Sequence, residues 1–190
     1  MMIIRSELDI IRLIEKDLWM IEILQAVKSL ELPDSWVCAG FVRSKVWDTM
    51  HGFKERTPIP DVDVIYFDKE NINELEEKIL EDKLRELIPN IPWSVKNQAR
   101  MHVVNNFPPY LSSIDAISKF PETVTALGVK LDEVDKVILI APHGIADVIN
   151  LELKPTPFFV GSHDLMEKYR NRMIKKRWNS IWPMIKINRI

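Results

Sequence analysis

Apolar residues recur at helical spacing in several stretches of the chain. Between residues 6 and 30 they fall at positions i, i+3 and i+4, which predicts one long or two shorter amphipathic helices. Residues 41–50 repeat the pattern, and Gly52 is the residue expected to end that helix. The same spacing predicts further helices at about 73–87, 112–119, 144–150 and 162–178.

Short apolar runs between these helices predict strands, because glycine, proline or charged residues bound each run. These runs are 36–39, 61–67, 93–96, about 124–131, 137–140 and 151–153. Helices and strands alternate along the chain, which predicts an α/β or α+β domain. With 190 residues and no repeat or linker, we expect one domain with a helical region (1–32), a core (33–157) and a C-terminal helix and tail (158–190).

Composition narrows the classes of function. The chain is 46% apolar and 28% charged, which argues against a disordered protein. Its net charge of −2 gives no overall attraction to nucleic acid, so such a substrate would need a local basic patch. The single cysteine, Cys38, excludes an internal disulfide framework and a cysteine-rich zinc site. No signal-peptide pattern or long apolar span stands out, and we expect a cytoplasmic protein.

Asp61 and Asp63 are spaced to share one face of the strand predicted at 61–67. Their carboxylates would project together, while Val62 and Val64 would pack into the core. Two adjacent carboxylates repel each other unless a cation lies between them, and such oxygen ligands suit Mg²⁺ held jointly with substrate phosphates. Solvated carboxylates at the entrance to a strand are the plainer interpretation of the same residues.

Gly40 follows the strand predicted at 36–39 and precedes the next predicted helix. Glycine lets a ligand approach the backbone closely. The helix that follows offers free amides and the positive end of its dipole to an anion. Arg43 and Ser44 lie in its first turn and could add contacts to phosphate oxygens. This turn and the two aspartates together predict a site for a metal and a phosphate.

The stretches AGFVRSKVWDTMHG (39–52) and DVDVIYFD (61–68) resemble the polymerase-β-like nucleotidyltransferase superfamily. Its pattern is a strand, Gly-Gly or Gly-Ser, a helix, and Asp-x-Asp on the next strand. The local sequence pattern is similar to that of tRNA-nucleotidyltransferases and poly(A) polymerases. The chain as a whole resembles a small bacterial family of nucleotidyltransferase-like proteins with no assigned substrate. That resemblance rests on four more stretches, WSVKNQARMH, AISKFPETVTALGV, APHGIADVINLELKPTP and KKRWNSIWP.

The resemblance implies a mixed β-sheet flanked by helices and a specific reaction. Asp61 and Asp63 would be catalytic and would bind Mg²⁺ or Mn²⁺. A nucleoside triphosphate would give its nucleoside monophosphate to a hydroxyl of an unknown acceptor (RNA, protein or small molecule), with release of pyrophosphate. The residues implied in nucleotide binding are Gly40, Phe41, Arg43, Ser44, Lys96, Asn97 and Arg100.

Three positions depart from the superfamily pattern. Phe41 replaces the usual second small residue, so only its backbone could contact phosphate there. Ser44 stands where the most similar patterns have an acid. A third carboxylate is usual on the strand that follows the Asp-x-Asp strand and its helix, but the strand at 93–96 offers Ser94 and Lys96. A catalytically inactive nucleotide-binding or regulatory module with the same fold is therefore the alternative.

Other polar stretches keep two interpretations each. Lys96, Asn97 and Arg100 belong to a cluster that is either a surface strand with a following turn or a strip that lines the cleft. The basic run at 168–177 is either the solvated face of a packed helix or a docking surface for RNA or another polyanion, whose affinity would fall steeply with salt. For Asp48, we expect an exposed position on its helix.

Overall fold

The computed structural model of the protein describes residues 4–187. The helices are α1 (Glu7–Glu15), α2 (Leu18–Lys28), α3 (Gly40–His51), α4 (Glu74–Leu87), α5 (Gln98–Asn105), α6 (Ser113–Ser118), α7 (Ala146–Ile149), α8 (Pro157–Val160), α9 (His163–Lys176) and α10 (Trp178–Ile181). The strands are β1 (Trp36–Cys38), β2 (Val62–Tyr66), β3 (Trp93–Asn97), β4 (Gly128–Leu131), β5 (Val137–Ile140), β6 (Glu152–Leu153) and β7 (Lys186–Ile187). Within the described residues, every helix is too short or too polar to cross a membrane.

The N-terminal amphipathic region folds as two helices. Ser6 caps α1, because its hydroxyl accepts a hydrogen bond from the Asp9 amide while the Asp9 carboxylate accepts one from the Ser6 amide. Asp17 caps α2 by accepting a hydrogen bond from the Met20 amide. Lys16 ends α1 directly before this second cap, so the chain turns there. Of the two arrangements predicted for this region, the structure has the pair of shorter helices.

Five strands form one mixed sheet in the order β3-β2-β1-β4-β5. β2 and β3 run parallel, whereas β1 is antiparallel to both β2 and β4, and β5 is antiparallel to β4. β6 and β7 form a separate two-stranded parallel sheet. The predicted fold class, a mixed sheet flanked by helices, is confirmed.

The register of the central strands determines where polar residues meet. Cys38 at the end of β1 lies opposite Asp63 on β2, and Asp63 lies beside Ser94 on β3. Val62 and Val64 alternate with the aspartates and are fully buried in the main core. The turn from β1 into α3 is consequently next to the Asp-x-Asp segment.

Two segments near the middle of the chain differ from the prediction. Residues 98–105 form α5 rather than a surface turn, because the Asn97 side chain caps the helix by accepting a hydrogen bond from the Ala99 amide. Residues 124–127 do not extend into a strand. The amides of Thr125 and Ala126 instead bond to the Glu122 carbonyl, which closes a turn before β4.

The C-terminal helix is shorter than its apolar pattern predicts. It ends at Lys176, since Arg177 adopts a left-handed conformation with φ 45°. The chain changes direction there and begins the short helix α10. Trp178 and Trp182 then pack against Trp47 of α3, with ring centroids 5.9 and 5.2 Å away. This return brings residues 178–182 against the side chains of Arg43 and Trp47 on α3.

Candidate active site

The turn from β1 into α3 is tight and strained. Ala39 has φ 56° and ψ −118°, a conformation that residues with a Cβ rarely adopt. Its amide donates to the Leu127 carbonyl, and its carbonyl accepts from the Arg43 amide. The amides of the first turn of α3, from Gly40 to Val42, have no preceding helical carbonyl to bond to. The turn therefore presents free donors and the positive end of a twelve-residue helix.

Asp61 and Asp63 project from the start of β2 next to this turn. Asp61 is exposed, and Asp63 is partly buried. Burial raises the pKa of Asp63 to about 6, with a further contribution from the charge of Asp61. Ser94, Arg172 and Lys176 act in the opposite direction on the same pKa. A buried carboxylate beside a second one favours a proton or a cation.

The aspartates and the turn line one cleft of about 550 Å³. Its walls come from the β1–α3 turn, the loop before β2, the 122–127 turn, the end of α9 and α10. The lining residues are Ala39, Gly40, Arg43, Pro58, Ile59, Pro60, Asp61, Asp63, Thr125, Arg172, Lys176, Trp178, Ile181 and Trp182. The cleft thus combines two carboxylates with three basic side chains.

Arg43 lies at the base of the cleft inside a cage of tryptophans. Its guanidinium is 4.2 Å from the ring centroid of Trp178, 5.1 Å from that of Trp182 and 5.3 Å from that of Trp47. Burial lowers the pKa of Arg43 to about 10, so the side chain remains charged at neutral pH. Its Nη2 donates to the Ser44 hydroxyl at 3.0 Å, while its buried Nε has no partner within the described residues.

The other residues predicted for the triphosphate divide between cleft and core. Phe41 is fully buried and packs near Trp19, so only its backbone faces the turn. Ser44 is buried behind Arg43 and does not line the cleft. A Cβ built on Gly40 would meet only the Arg43 guanidinium, at 3.6 Å. Folding therefore does not require glycine at this position. A methyl group would instead occupy the part of the cleft between Gly40 and Arg43, at the first turn of α3, which we call the cradle.

The carboxylate pair fits one divalent cation better than a fully enclosed metal site. Within residues 4–187, no group of three or more histidine, cysteine, aspartate or glutamate side chains is placed to hold a metal ion. Ser94 lies beside Asp63 on β3, the strand on which the superfamily pattern usually has a third carboxylate. Mg²⁺ commonly uses one or two carboxylates and takes its remaining ligands from water and substrate phosphates. Asp61 and Asp63 match that donor set.

Lys96, Asn97 and Arg100 are not brought into the cleft. The Lys96 Nζ lies 3.2 Å from Glu77 and 3.4 Å from Glu81, and Arg100 forms a 2.9 Å ion pair with Glu77. Asn97 is 1% exposed, and its side chain donates to the carbonyls of the loop that follows β2. Lys96 and Arg100 thus hold β3 and α5 against α4, and Asn97 holds the start of α5 against the loop that follows β2.

The cleft also contains residues that the sequence did not predict for the site, namely Arg172, Lys176, Thr125 and the tryptophans. The available signal was the four-residue spacing of Lys168, Arg172 and Lys176, which places these cations on one face of α9. The expectation for Asp48 is wrong. It is buried, because its carboxylate accepts hydrogen bonds from the Thr57 amide and hydroxyl and from the Trp182 indole.

A nucleotidyltransferase family model matches residues 25–187 of the chain. The protein belongs to this nucleotidyltransferase family. The match includes the β1–α3 turn, the Asp-x-Asp strand and the basic face of α9, so the family extends over every wall of the cleft. No curated protein matches the sequence.

Solved structures extend the comparison. An NMR structure described as revealing a CCA-adding enzyme head domain is 35% identical and has a TM-score of 0.86. The alignment covers 98% of this chain and 98% of that chain. The Thermotoga maritima CCA-adding enzyme complexed with tRNA is 14% identical with a TM-score of 0.56. A CCA-adding enzyme in complex with CTP is 16% identical with a TM-score of 0.58. This nucleotidyltransferase family member covers only 44% of each of the last two chains, and they show the shared fold alone.

Proposed function

We propose that the protein transfers a nucleoside monophosphate from a nucleoside triphosphate to a hydroxyl acceptor, with Mg²⁺ or Mn²⁺ as cofactor. The observation that carries the proposal is the meeting of Asp61 and Asp63 with the N-terminal end of α3 in one cleft. Carboxylates for a cation and free amides for phosphates are the two halves that this chemistry needs. Membership of the nucleotidyltransferase family supports the same class of reaction.

In this proposal the triphosphate occupies the cradle beside Gly40. The amides of the first turn of α3 would donate to phosphate oxygens, and the guanidinium of Arg43 would add a positive charge at the base of the cleft. Arg172 and Lys176 face the same space from α9. Most of the catalytic effect would come from positioning and from neutralising charge, as is usual in phosphoryl transfer.

The reaction forms one bond and breaks one bond at the α-phosphorus. The oxygen of the acceptor hydroxyl bonds to that phosphorus, and the bond to the oxygen that bridges to the β-phosphate breaks. Its electron pair leaves with pyrophosphate, and the hydroxyl proton passes to solvent. A divalent ion held by Asp61 and Asp63 would neutralise charge on the phosphate oxygens when bound.

A thermal-shift experiment tests the binding half of the proposal. ATP, GTP, CTP and UTP are each added with Mg²⁺, and we expect at least one to stabilise the protein by about 2.7 kcal/mol at a hundredfold excess over its Kd. Asp61→Asn and Asp63→Asn, each compared with its own ligand-free form, should lose this stabilisation. Absence of a shift with all four triphosphates would contradict the proposal.

A transfer experiment tests the chemical half. Triphosphates labelled at the α-phosphate are incubated with RNA, protein and small-molecule acceptors, and label on an acceptor is measured together with released pyrophosphate. Even outer-shell partners of a metal contribute about 10- to 100-fold, so we expect Asp61→Asn and Asp63→Asn to lower the rate by at least ~100-fold. Equal rates for wild type and both variants would remove the catalytic role of the pair.

Ser94 favours a second candidate, a nucleotide-binding module without turnover. It lies beside Asp63, where a third carboxylate would help to hold a second cation and to activate the acceptor. Ser94→Asp distinguishes the two functions, because the substitution supplies that carboxylate. If the protein is a module without turnover, wild type and Ser94→Asp should bind triphosphate equally, and only the variant should transfer label. If the protein is an active enzyme, wild type should already transfer label.

A further inference from the structure

A second pocket, of about 330 Å³, lies on the other side of Arg172 from the cleft. It is formed by α5, the loop that follows α5, the end of α6, α8 and α9. Its lining residues are Gln98, Val104, Asn105, Phe107, Tyr110, Lys119, Phe120, Pro121, Phe159, Lys168 and Arg172. Arg172 also lines the cleft, so the two spaces adjoin at one side chain.

The walls of this pocket are aromatic. Phe107, Tyr110, Phe120 and Phe159 contribute rings, and Phe107 is held edge-on by Phe158 with centroids 4.9 Å apart. Phe107 and Phe120 remain partly exposed. Aromatic faces that are open to solvent can stack on a planar ligand such as a nucleobase. The side-chain amides of Gln98 and Asn105 also line the pocket. Their NH₂ groups donate to the Lys96 carbonyl and the Tyr110 hydroxyl, so their carbonyl oxygens remain to accept from the amino edge of a base.

The pocket is also basic. Lys168 and Arg172 project into it from successive turns of α9, and Lys176 continues the same face into the cleft. Lys168 and Lys176 have no ion-pair partner within residues 4–187. Arg172 pairs with the fully buried Glu122, which fixes its guanidinium between the two spaces. An anionic ligand in the pocket would meet one unneutralised ammonium group, that of Lys168, and one anchored guanidinium, while Lys176 lies in the adjoining cleft.

The position of the pocket indicates which substrate it serves. β2 lies between β1 and β3 in the sheet, with β1 leading into α3 and β3 leading directly into α5. The triphosphate cradle begins at the end of β1, beside Asp63. Gln98 follows Asn97, which pairs with Tyr66 at the other end of β2, so the pocket meets the cleft at Arg172 of α9 and not along β2. A ligand in the pocket would therefore reach the cleft past Arg172, outside the cradle, as an acceptor must.

We infer that the second pocket binds the acceptor, and that this acceptor is a phosphorylated nucleoside, either a free nucleotide or the end of an RNA strand. The base stacks on the aromatic walls, the phosphate is bound by Lys168 and Arg172, and a ribose hydroxyl faces the adjoining cleft past Arg172. This inference rests on the proposed function for the role of acceptor. The pocket's affinity for a nucleotide does not depend on it.

NMR titration of the ¹⁵N-labelled full chain tests the inference. AMP and CMP are added without a metal, and we expect the amides of Asn105, Phe107 and Lys119 to shift while those of Gly40 and Val42 do not. Mg²⁺ with α,β-methylene-ATP should give the opposite pattern. If the methylene analogue perturbs nothing, the proposed function fails, whereas the inference stands or falls on the monophosphate titration.

Four variants separate the pocket from general effects of charge and packing. Phe107→Leu removes a stacking face but keeps an apolar side chain, and it should weaken CMP and AMP binding about tenfold. Lys168→Glu should weaken it by a similar factor. Phe53→Leu is the aromatic control, and Arg170→Glu is the charge control, because neither residue lines the pocket or the cleft. Both controls should bind as wild type does.

The binding experiments have three outcomes. Two of them distinguish a free nucleotide from the end of an RNA strand, and the third overturns the inference. A twelve-nucleotide RNA that binds more than tenfold tighter than CMP, with affinity that falls steeply with salt, identifies a strand end. Equal or weaker binding of the RNA identifies a free nucleotide. If neither probe shifts the pocket amides, or if Phe107→Leu and Lys168→Glu weaken the methylene analogue instead, the acceptor pocket is overturned.

Discussion

Charged residues on the two sides of β2 have different surroundings. On the cleft side, Asp61 and Asp63 have no ion-pair partner within the described chain, and Arg43 bonds only to Ser44. On the α4 side, Glu77 is fully buried and accepts hydrogen bonds from Lys96, Arg100 and the amide of Asn97.

The comparison shows which charges are available to a ligand. A buried acid surrounded by donors has its bonding capacity used within the fold, as Glu77 does. Asp63 is instead held beside a second carboxylate, which is unfavourable for the ligand-free protein. Such an arrangement is typical of functional sites. The cleft side is therefore the better candidate for chemistry, although both sides are rich in charge.

Glu77→Gln is expected to have the largest effect, on stability. The substitution leaves Arg100 without its buried partner and Lys96 with Glu81 alone, 3.4 Å away, and removing one member of a buried pair costs about 3–5 kcal/mol. Arg100 keeps only a 3.8 Å contact to exposed Glu74. For a chain of this size the lower figure corresponds to roughly 6–12 °C in Tm, measured by calorimetry.

The control for this prediction is Glu86→Gln, an exposed acid of the same helix, which should leave Tm nearly unchanged. At a temperature where both proteins are folded, Mg²⁺ with the preferred triphosphate should raise the unfolding free energy of Glu77→Gln by as much as it raises that of wild type. A loss of that stabilisation would instead support nucleotide contacts by Lys96 or Arg100. The division between the two sides would then fail.

The pH dependence of Asp63→Asn gives the next largest effect. The folded pKa of about 6 lies above the usual 3.8, so the folded state binds the proton more tightly and loses stability as pH rises from about 4 to 6. The asparagine side chain does not titrate. The stability of the variant relative to wild type should therefore rise between about pH 4 and 6, and the difference should be at most about 3 kcal/mol above pH 6. Urea unfolding at a series of pH values without metal measures the difference.

Asp82→Asn on the surface of α4 serves as the control and should show no such gain above pH 6. Mg²⁺ should reduce the advantage of Asp63→Asn at pH 7, because the ion stabilises only the wild-type pair. A variant that is less stable than wild type at pH 7 would show that Asp63 is satisfied within the fold. In that case it would resemble Glu77 rather than a ligand site.

Gly40→Ala is expected to change affinity without loss of stability. A methyl group there has only the Arg43 guanidinium as a neighbour, at 3.6 Å, and alanine favours the helix. It would fill the cradle, however, and we expect triphosphate with Mg²⁺ to bind about tenfold more weakly, or ~1.4 kcal/mol. Isothermal calorimetry measures this. Gly161→Ala, which lies outside the cleft and is equally free of clashes, should bind normally.

Much of the fold and half of the site follow from local patterns. Apolar periodicity predicted most helices and strands, and the alternation of one strand predicted that Asp61 and Asp63 share a face. These features depend on neighbours within a few residues, so a sequence carries them without knowledge of the packing. The meeting of Gly40 with the two aspartates was expected from the chemistry of the two segments and from the family resemblance, and the pairing of β1 with β2 produces it.

The features that sequence analysis missed depend on contacts between distant segments. Lys96 and Arg100 are held by Glu77, about twenty residues away, which only the packing of α4 on β3 brings into reach. Arg172 enters the site because α9 lies against the 122–127 turn, where Glu122 binds it. Asp48 is buried because the chain returns after Arg177 and places Trp182 against it. No local pattern encodes these partners.

Ala39→Gly should give the smallest effect on stability, and it tests whether the turn from β1 into α3 is strained. Ala39 has φ 56° and ψ −118°, which costs of order 1–3 kcal/mol for a residue with a Cβ. Glycine relieves this strain but loses about 0.5–1 kcal/mol of chain entropy on folding, so we expect a gain of no more than about 1 kcal/mol in urea unfolding. Ala146→Gly, in a short helix, should instead lose stability. A loss in Ala39→Gly of the size seen in Ala146→Gly would mean that the turn carries no strain, and that the amides of α3 face the cleft at no cost to the fold.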